Sequence, residues 1–191
     1  MPKAKACDII IDTKPYFGHC GIVTGNFNII SNVIPNGIEV IHATKKGIVE
    51  TTWENGKAYC FRAVNLSRSE AQKIQHVSNE IKGAAEYGAS RAIFKSWAGS
   101  SSFDGSALER LEKYQKRMTS HQGVLKNVYC SELVVLAYQL GLNINQSHLS
   151  WINLDGKHTL PSTLKSWLEE FPTKWKFEGY IKDSTMELYS S

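Results

Sequence analysis

The chain has 191 residues, of which 42% are hydrophobic, and this length suits one globular domain over residues 1–191 with a substantial core. Its net charge of +4 comes from 22 Lys and Arg against 18 Asp and Glu, and the basic residues are scattered rather than clustered. Mild, scattered charge argues against a dedicated nucleic-acid-binding protein. The longest apolar runs, such as "LVVLAY" at 133–138, are far shorter than the roughly 18 residues that a membrane-spanning helix needs.

The N-terminal stretch "MPKAKACDIIIDTK" has a short apolar segment interrupted by Asp8 and Asp12. It therefore lacks the hydrophobic region of a signal peptide, and it predicts synthesis in the cytoplasm and the first strand of the fold. Four widely spaced cysteines without a C-x-x-C pair argue against a zinc site and against a dense disulfide framework. Free thiols are expected.

Short apolar runs punctuated by Gly, Pro and Asn fill the first third of the chain and predict an antiparallel meander. The predicted strands are "CDIII" at 7–11, "CGIVTG" at 20–25, "FNIIS" at 27–31, "IEVIHA" at 38–43, "GIVETT" at 47–52 and "AYCFRAV" at 58–64. "SRSE" at 67–70 then has the spacing of a capping box, and the apolar residues after it recur at helical intervals. We expect a helix over 71–88.

The second half predicts helices around a Gly- and Ser-rich segment at 96–106, which is expected to be either a plain surface loop or an active-site flap. An amphipathic helix follows at 107–118. "NVYCSELVVLAYQLGL" at 127–142 has the apolar spacing of a buried helix, with Cys130 in its first turn and a stop signal at Gly141. "PSTLKSWLEEF" at 161–171 predicts a last helix, and "KWKFEGYI" at 174–181 predicts a closing strand.

Cys130 is a candidate nucleophile because of this position at a helix start. Unpaired N–H groups and the positive end of the helix dipole stabilise an anion there, so the pKa of the thiol should fall. The competing interpretation is packing, since free cysteine is among the most buried residue types. A nucleophilic cysteine also needs a histidine that holds the thiolate and then protonates the leaving group.

Six histidines are available for this role. His19 and His42 are each embedded in a predicted strand, where an imidazole among apolar residues must be satisfied by some partner. A satisfied core histidine is the alternative interpretation for both. The other four lie on a predicted helix or in polar sequence, where a solvated or capping role is expected: His76, His121, His148 and His158.

The alternation of side chains along a strand separates His19 from Cys20, because neighbouring residues face opposite sides of the sheet. Cys20 is therefore assigned to packing. In "EVIHA", His42 shares a face with Val40. Two neighbouring strands could thus set His19 and His42 side by side, as a base and the group that orients it.

The blocks "CDIIIDTKPYFGHCGIVTG", "VIHATKKGIVE" and "VYCSELVVLAY", in this order, resemble the circularly permuted branch of the NlpC-type papain-like cysteine hydrolases, which includes the YiiX-like proteins and lecithin:retinol acyltransferase. The resemblance implies an α+β, papain-like fold in which an antiparallel sheet or small barrel packs against a central helix carrying the cysteine. It also implies that Cys130 is the nucleophile, His19 the base and His42 the polar third member. Glu50 is the acidic alternative to His42, because YiiX-like members often carry an acid at the third position.

The implied reaction is thiol-dependent hydrolysis without a cofactor or metal. The Cys130 thiolate attacks an amide or ester carbonyl, His19 protonates the leaving group, and water or another acceptor resolves the thioester. The Cys130 backbone N–H would hold the oxyanion together with a second, unidentified donor. The expected substrate-binding residues are Tyr16 and Phe17, for which ordinary aromatic packing is the alternative, and Ser131.

The expected substrate is a peptide bond of bacterial cell-wall peptidoglycan, because members of the resembled group cleave such bonds and the sequence shows neither a hydrophobic anchor nor strong basicity. Delivery to the periplasm of target cells by a specialised secretion system, as an antibacterial effector with an immunity protein as its partner, would bring the protein to that substrate. The alternatives are a lipid acyl hydrolase or acyltransferase of the lecithin:retinol acyltransferase type, and a non-catalytic binding module or structural protein.

Overall fold

The computed structural model describes residues 3–14, 18–25, 37–44, 46–54, 56–87, 125–182 and 188–189, and these form an α+β fold. The predicted elements at 27–31, 96–106 and 107–118 lie outside the described residues. The strands are β1 (Ile9–Asp12), β2 (His19–Val23), β3 (Glu39–Thr44), β4 (Gly47–Thr52), β5 (Ala58–Ala63), β6 (Ala85–Tyr87), β7 (Leu125–Val128), β8 (Trp175–Ile181) and β9 (Leu188–Tyr189). The helices are α1 (Arg68–Ala84), α2 (Cys130–Gly141) and α3 (Pro161–Glu170), with a short 3-10 helix at Gly156–His158.

Within the described residues, seven strands form one antiparallel sheet in the order β4-β3-β2-β1-β5-β8-β9. The run from β1 to β4 is the predicted meander. β5 departs from it, because β5 pairs with the second edge of β1 and not with β4. β1 is thus a central strand, and its three isoleucines, Ile9 to Ile11, are fully buried as that position requires. A separate parallel pair, β6 with β7, lies between α1 and α2 in the chain.

The predicted capping box at the start of α1 is confirmed. The Ser67 backbone N–H donates to Glu70 Oε2 over 2.8 Å, and the Glu70 backbone N–H donates to Ser67 Oγ over 3.3 Å. These reciprocal bonds satisfy donors that the first turn of a helix leaves unpaired. They fix the entry of α1, which begins at the next residue, Arg68.

α2 is the central helix, and Cys130 is its first residue, as the apolar spacing predicts. Nearly all its side chains are buried, and they pack against the sheet and against α1. Gly141 permits the close crossing of the two helices, because a Cβ at this position would lie 2.6 Å from Ile74 Cγ1 and 2.7 Å from Ile74 Cα. This crossing fixes the C-terminal end of α2 against α1, and α2 also contacts β2 and β3 of the sheet.

Alternate residues of β1 divide between two apolar clusters. Ile9 and Ile11 belong to the larger cluster, which includes the helices, and Ile10 belongs to a smaller cluster with Val40 and Trp53. The sheet therefore carries apolar side chains on both faces. Within the described ranges, the helices are all too short or too polar to cross a bilayer.

Candidate active site

β2 and β3 bring His19 and His42 together. The strands pair with Gly21 opposite His42, and His19 Nε2 lies 2.6 Å from His42 Nδ1. Gly21 permits this close approach, because a Cβ at this position would lie 2.4 Å from Val40 Cγ1 and 2.8 Å from the Ile41 carbonyl oxygen. The two histidines are thus side by side, as the strand pattern predicts.

The hydrogen-bonded series continues from His42 to β4. His42 Nε2 lies 2.8 Å from Thr51 Oγ1, and the register places Thr51 opposite Val40, on the same face of the sheet as His42. Burial, together with repulsion from His19, lowers the pKa of His42 to about 4. The ring is therefore neutral at pH 7, with one donor nitrogen and one acceptor nitrogen, and its two hydrogen-bond partners use both.

Trp53 forms the wall behind the two imidazoles. Its fully buried indole stacks on His19 with the ring centroids 5.4 Å apart and the planes inclined by 18°. The indole is also 6.0 Å from the His42 ring, and its Nε1 donates to the Gly56 carbonyl over 3.3 Å. This stacking fixes the orientation of the His19 ring.

Cys130 meets this pair from the N-terminus of α2. Its sulfur interacts with the Cys20 thiol, with the His19 side chain and with the Cys20 backbone N–H. Hydrogen bonding from the Cys20 thiol lowers the pKa of Cys130 well below that of an ordinary cysteine, and interaction with His19 lowers it further against the opposing effect of burial. The helix dipole acts in the same direction. Cys130 therefore has the environment of a thiolate.

The two ring nitrogens of His19 have different partners, His42 and Cys130. His19 Nε2 is engaged by His42, which leaves Nδ1 for the Cys130 sulfur. The result is a continuous series of sulfur, imidazole, imidazole and hydroxyl that runs from Cys130 to Thr51. The structure thus brings together the three residues that the resemblance implies as a catalytic triad.

Cys20 is closer to the site than the strand alternation predicts. The alternation itself holds, because Cys20 and Ile22 pack with α2 in the larger cluster. However, His19 is the first residue of β2, and from this strand end its ring also reaches Cys130. The pairing of β2 with β3 ends one residue after Cys20, and the Cys20 backbone N–H bonds the sulfur of Cys130. The predicted separation of Cys20 from His19 is therefore wrong, although Cys20 is buried as expected.

Glu50, the acidic alternative for the third position, faces elsewhere. Its Oε2 lies 2.7 Å from Nζ of Lys82 on α1. Glu50 precedes Thr51 in β4, so their side chains lie on opposite faces of the strand. It is Thr51 that reaches His42.

Ser131, expected to bind substrate, is fully buried and donates from Oγ to the Thr159 carbonyl. The Tyr129 hydroxyl donates to the Gly156 carbonyl over 2.8 Å. The residues on either side of Cys130 thus attach the 3-10 helix beside α2. The side chain of Ser131 therefore has a supporting role and is not accessible from solvent, contrary to the expected binding role.

The other predicted binding residues, Tyr16 and Phe17, lie outside the described residues, as does His121. The remaining histidines pair with carboxylates rather than with the site: His76 with Glu80, His148 with Glu70 and His158 with Asp155.

Thr51 and Trp53 are the site residues that sequence reasoning missed. Carrying the alternation from His42 through the turn between β3 and β4 would have placed Thr51 on the His42 face. Trp53 follows the end of β4 and carries no comparable signal.

The chain matches no family model, no curated protein and no solved structure. The geometry of the site is therefore the basis for assigning a function to this chain.

Proposed function

We propose that the protein is a cysteine hydrolase in which Cys130 is the nucleophile, His19 the base and His42 the group that orients the base. The observation that carries the proposal is the convergence of Cys130 and His19 at the start of α2, with His42 Nδ1 only 2.6 Å from His19 Nε2. Hydrolases that use a nucleophilic side chain commonly have this arrangement, in which the nucleophile hydrogen-bonds to the base and the base hydrogen-bonds to the group that orients it.

The protonation states follow from the neutrality of His42. When the Cys130 proton moves to His19, the imidazolium donates from Nδ1 to the sulfur and from Nε2 to His42 Nδ1. Neutral His42 then carries its proton on Nε2 and donates it to Thr51 Oγ1. His42 is thus held in one tautomer, and its Nδ1 fixes the orientation of the His19 imidazolium. His19 keeps the geometry that it needs to return a proton to a leaving group.

In the proposed reaction the Cys130 thiolate adds to an amide or ester carbonyl carbon. The negative charge that develops on the carbonyl oxygen lies near the N-terminus of α2, where the Cys130 backbone N–H and the helix dipole stabilise it. His19 donates its Nδ1 proton to the leaving group as the carbon–nitrogen or carbon–oxygen bond breaks. His19 then accepts a proton from the water that cleaves the thioester, and the thiolate is restored.

The substrate class that we propose first is a peptide bond of cell-wall peptidoglycan, as the resemblance to NlpC-type hydrolases implies. One observation favours the second candidate, a lipid acyl hydrolase or acyltransferase. The third position holds His42, which resembles the acyltransferase-like pattern, and Glu50 pairs with Lys82. Both substrates pass through the same acyl-thioester, so the test must include both.

The test compares four forms of the protein on purified muropeptides and on phospholipid vesicles, with products read by mass. Wild type and His76→Gln, which changes an exposed histidine away from the site, should release the same products. Cys130→Ser and His19→Gln should lose activity by about 10³-fold or more. If wild type releases products from phospholipid and none from muropeptides, the second candidate is selected. If Cys130→Ser is as active as wild type on either substrate, the hydrolase proposal is overturned.

A binding module or structural protein would give no product, and iodoacetamide distinguishes it from an enzyme tested on the wrong substrate. An activated thiolate should react at Cys130 well below pH 8.5 and lose that rate in His19→Gln. A structural thiol should remain unlabelled until the protein unfolds.

A further inference from the structure

A second thiol lies against the Cys130 sulfur. Cys20 is fully buried, and both its thiol and its backbone N–H hydrogen-bond to Cys130. The remaining cysteines are engaged elsewhere. The Cys7 thiol donates to the Ala71 carbonyl over 3.2 Å, and the Cys60 thiol lies 3.6 Å from a carboxylate oxygen of Asp8. All four are free thiols.

We infer that Cys20 and Cys130 form an oxidation site, in which Cys20 converts a peroxide-oxidised Cys130 into an intramolecular disulfide. A strand end and a helix start supply the two residues. β2 packs directly against α2, both cysteines belong to the same buried cluster, and the Cys130 sulfur interacts with the Cys20 thiol, so the two sulfurs face each other as a disulfide requires. The proposed hydrolase mechanism does not use the Cys20 sulfur.

The first step consumes a peroxide, ROOH. The Cys130 thiolate attacks one peroxide oxygen, the O–O bond breaks, and the products are Cys130 sulfenic acid and an alkoxide that takes up a proton as ROH. In the second step the Cys20 sulfur attacks the sulfenic sulfur. The S–S bond forms, the S–O bond breaks, and the departing hydroxide leaves as water with the Cys20 proton. Two thiols lose two electrons in total, and the peroxide gains them.

Accessibility and charge set the order of these steps. Cys130 retains 8% exposure while Cys20 has 0%, so a small peroxide meets Cys130 first. Burial, followed by hydrogen bonding to and repulsion from Cys130, raises the pKa of Cys20 and keeps it a thiol in the reduced protein. The repulsion disappears when Cys130 becomes a neutral sulfenic acid. His19 lies beside Cys130 and can accept the Cys20 proton at that stage.

The disulfide would protect the nucleophile, because a sulfenic acid that is not captured goes on to irreversible sulfinic and sulfonic acids. The inference rests on the proposed function only in requiring a reactive Cys130 thiolate. It does not depend on the substrate of the hydrolase.

The test treats the folded, full-length protein with hydrogen peroxide and maps the cysteine peptides by mass. Wild type should lose two hydrogen masses, give a peptide pair joined through Cys20 and Cys130, and recover its original mass and its iodoacetamide reactivity with dithiothreitol. Cys20→Ser retains a hydrogen-bond donor of similar size but cannot form the disulfide. It should instead accumulate sulfinic or sulfonic acid at Cys130, which dithiothreitol does not reverse. Peptides containing Cys7 and Cys60 serve as internal controls and should remain reduced.

The wild-type measurement keeps the inference falsifiable even if Cys20→Ser fails to fold. In one outcome, wild-type Cys130 reacts rapidly with iodoacetamide, but peroxide oxidises it to sulfinic acid and no peptide joined to Cys20 is found. That result would overturn the oxidation site and leave the hydrolase proposal standing. A Cys130 that reacts with neither reagent would overturn both. A disulfide in a protein without activity on any acyl substrate would support the oxidation site alone.

Discussion

Two buried regions of this protein place cysteines beside ionisable side chains, with opposite consequences for the thiol. At the start of α2, the Cys130 sulfur meets His19, and its pKa is lowered. Near the other end of β1, Cys60 and Cys7 lie close to the Asp8 carboxylate, and both thiols have raised pKa values because of burial and then the Asp8 charge. All three are nearly inaccessible, with exposures of 8% for Cys130, 0% for Cys60 and 2% for Cys7.

The Asp8 region is organised around an ion pair rather than around a thiol. Arg62 donates to the two carboxylate oxygens of Asp8 over 2.8 Å from Nε and 2.6 Å from Nη2. The Lys5 backbone N–H donates to the same carboxylate over 2.7 Å, and Arg62 Nη1 lies 3.2 Å from Glu178 Oε1. The geometry is bidentate, which ties β1 to β5 and β8. This region is therefore structural.

The comparison shows that burial alone does not decide whether a cysteine is inert. Burial opposes ionisation in both regions, and the neighbours determine the outcome. A hydrogen-bond donor, an imidazole and a helix N-terminus outweigh burial at Cys130. A carboxylate adds to the effect of burial at Cys60 and Cys7.

The largest expected effect is the difference in alkylation between the two regions. With a pKa of about 12, Cys7 is ionised at pH 7 in about one molecule in 10⁵, whereas the lowered pKa of Cys130 gives it a far larger thiolate fraction. Iodoacetamide at pH 7 should therefore label Cys130 far ahead of Cys7 and Cys60, as measured by peptide mass over time. Equal labelling of the three in folded protein would remove the distinction between the regions.

The next effect concerns stability and not reactivity. Asp8→Asn removes the buried partner of Arg62, so we expect the free energy of unfolding in urea to fall by about 3–5 kcal/mol. Lys176→Gln is the matched control, because Lys176 is exposed and lies 3.1 Å from Glu178 at the edge of the same network; it should cost less than about 1 kcal/mol. The alkylation rate of Cys130 should stay unchanged in both variants. A large change in that rate after Asp8→Asn would mean that the two regions are coupled.

The sequence predicts much of the frame that holds the two regions. The capping box and the apolar spacing of α2 are local patterns, and each marks the start of a helix. The predicted helix over 71–88 is nevertheless too long, because α1 ends at Ala84 and the next three residues form β6. The pairing of β5 with β1 is a long-range choice, and the meander pattern does not contain it. Strand alternation misplaces Cys20 for a related reason: it describes the interior of a strand, whereas the site lies at the strand end, where the helix approaches.

A smaller effect, again on stability, follows from the low pKa of His42. An unfolded histidine has a pKa of about 6.5, so between that value and the folded pKa of about 4 the unfolded chain binds a proton that the folded protein does not. The contribution of neutral His42 to the free energy of unfolding should be fully present above pH 6.5 and should decrease by about 3 kcal/mol as the pH falls to 4. Urea unfolding at several pH values measures this loss, and the loss should be absent from His42→Gln. Identical pH dependence in wild type and His42→Gln would show that His42 is not held neutral.

The smallest effect is expected at Thr51, at the far end of the series that begins at Cys130. Thr51→Val keeps the shape of the exposed side chain but removes the oxygen that lies 2.8 Å from His42 Nε2, so the part-buried hydrogen bond that fixes the His42 ring is lost. A penalty of about 1.4 kcal/mol should lower the alkylation rate of Cys130 about tenfold, because His42 is no longer held in the tautomer whose Nδ1 accepts from His19 Nε2. Thr51→Ser should restore most of the rate.

Thr52→Val is the matched control, since its side chain lies on the opposite face of β4, and it should leave the alkylation rate of Cys130 unchanged. If Thr51→Val and Thr52→Val react at the same rate, the orienting series ends at His42, and the difference between the reactive and inert thiols depends on the contacts of Cys130 alone.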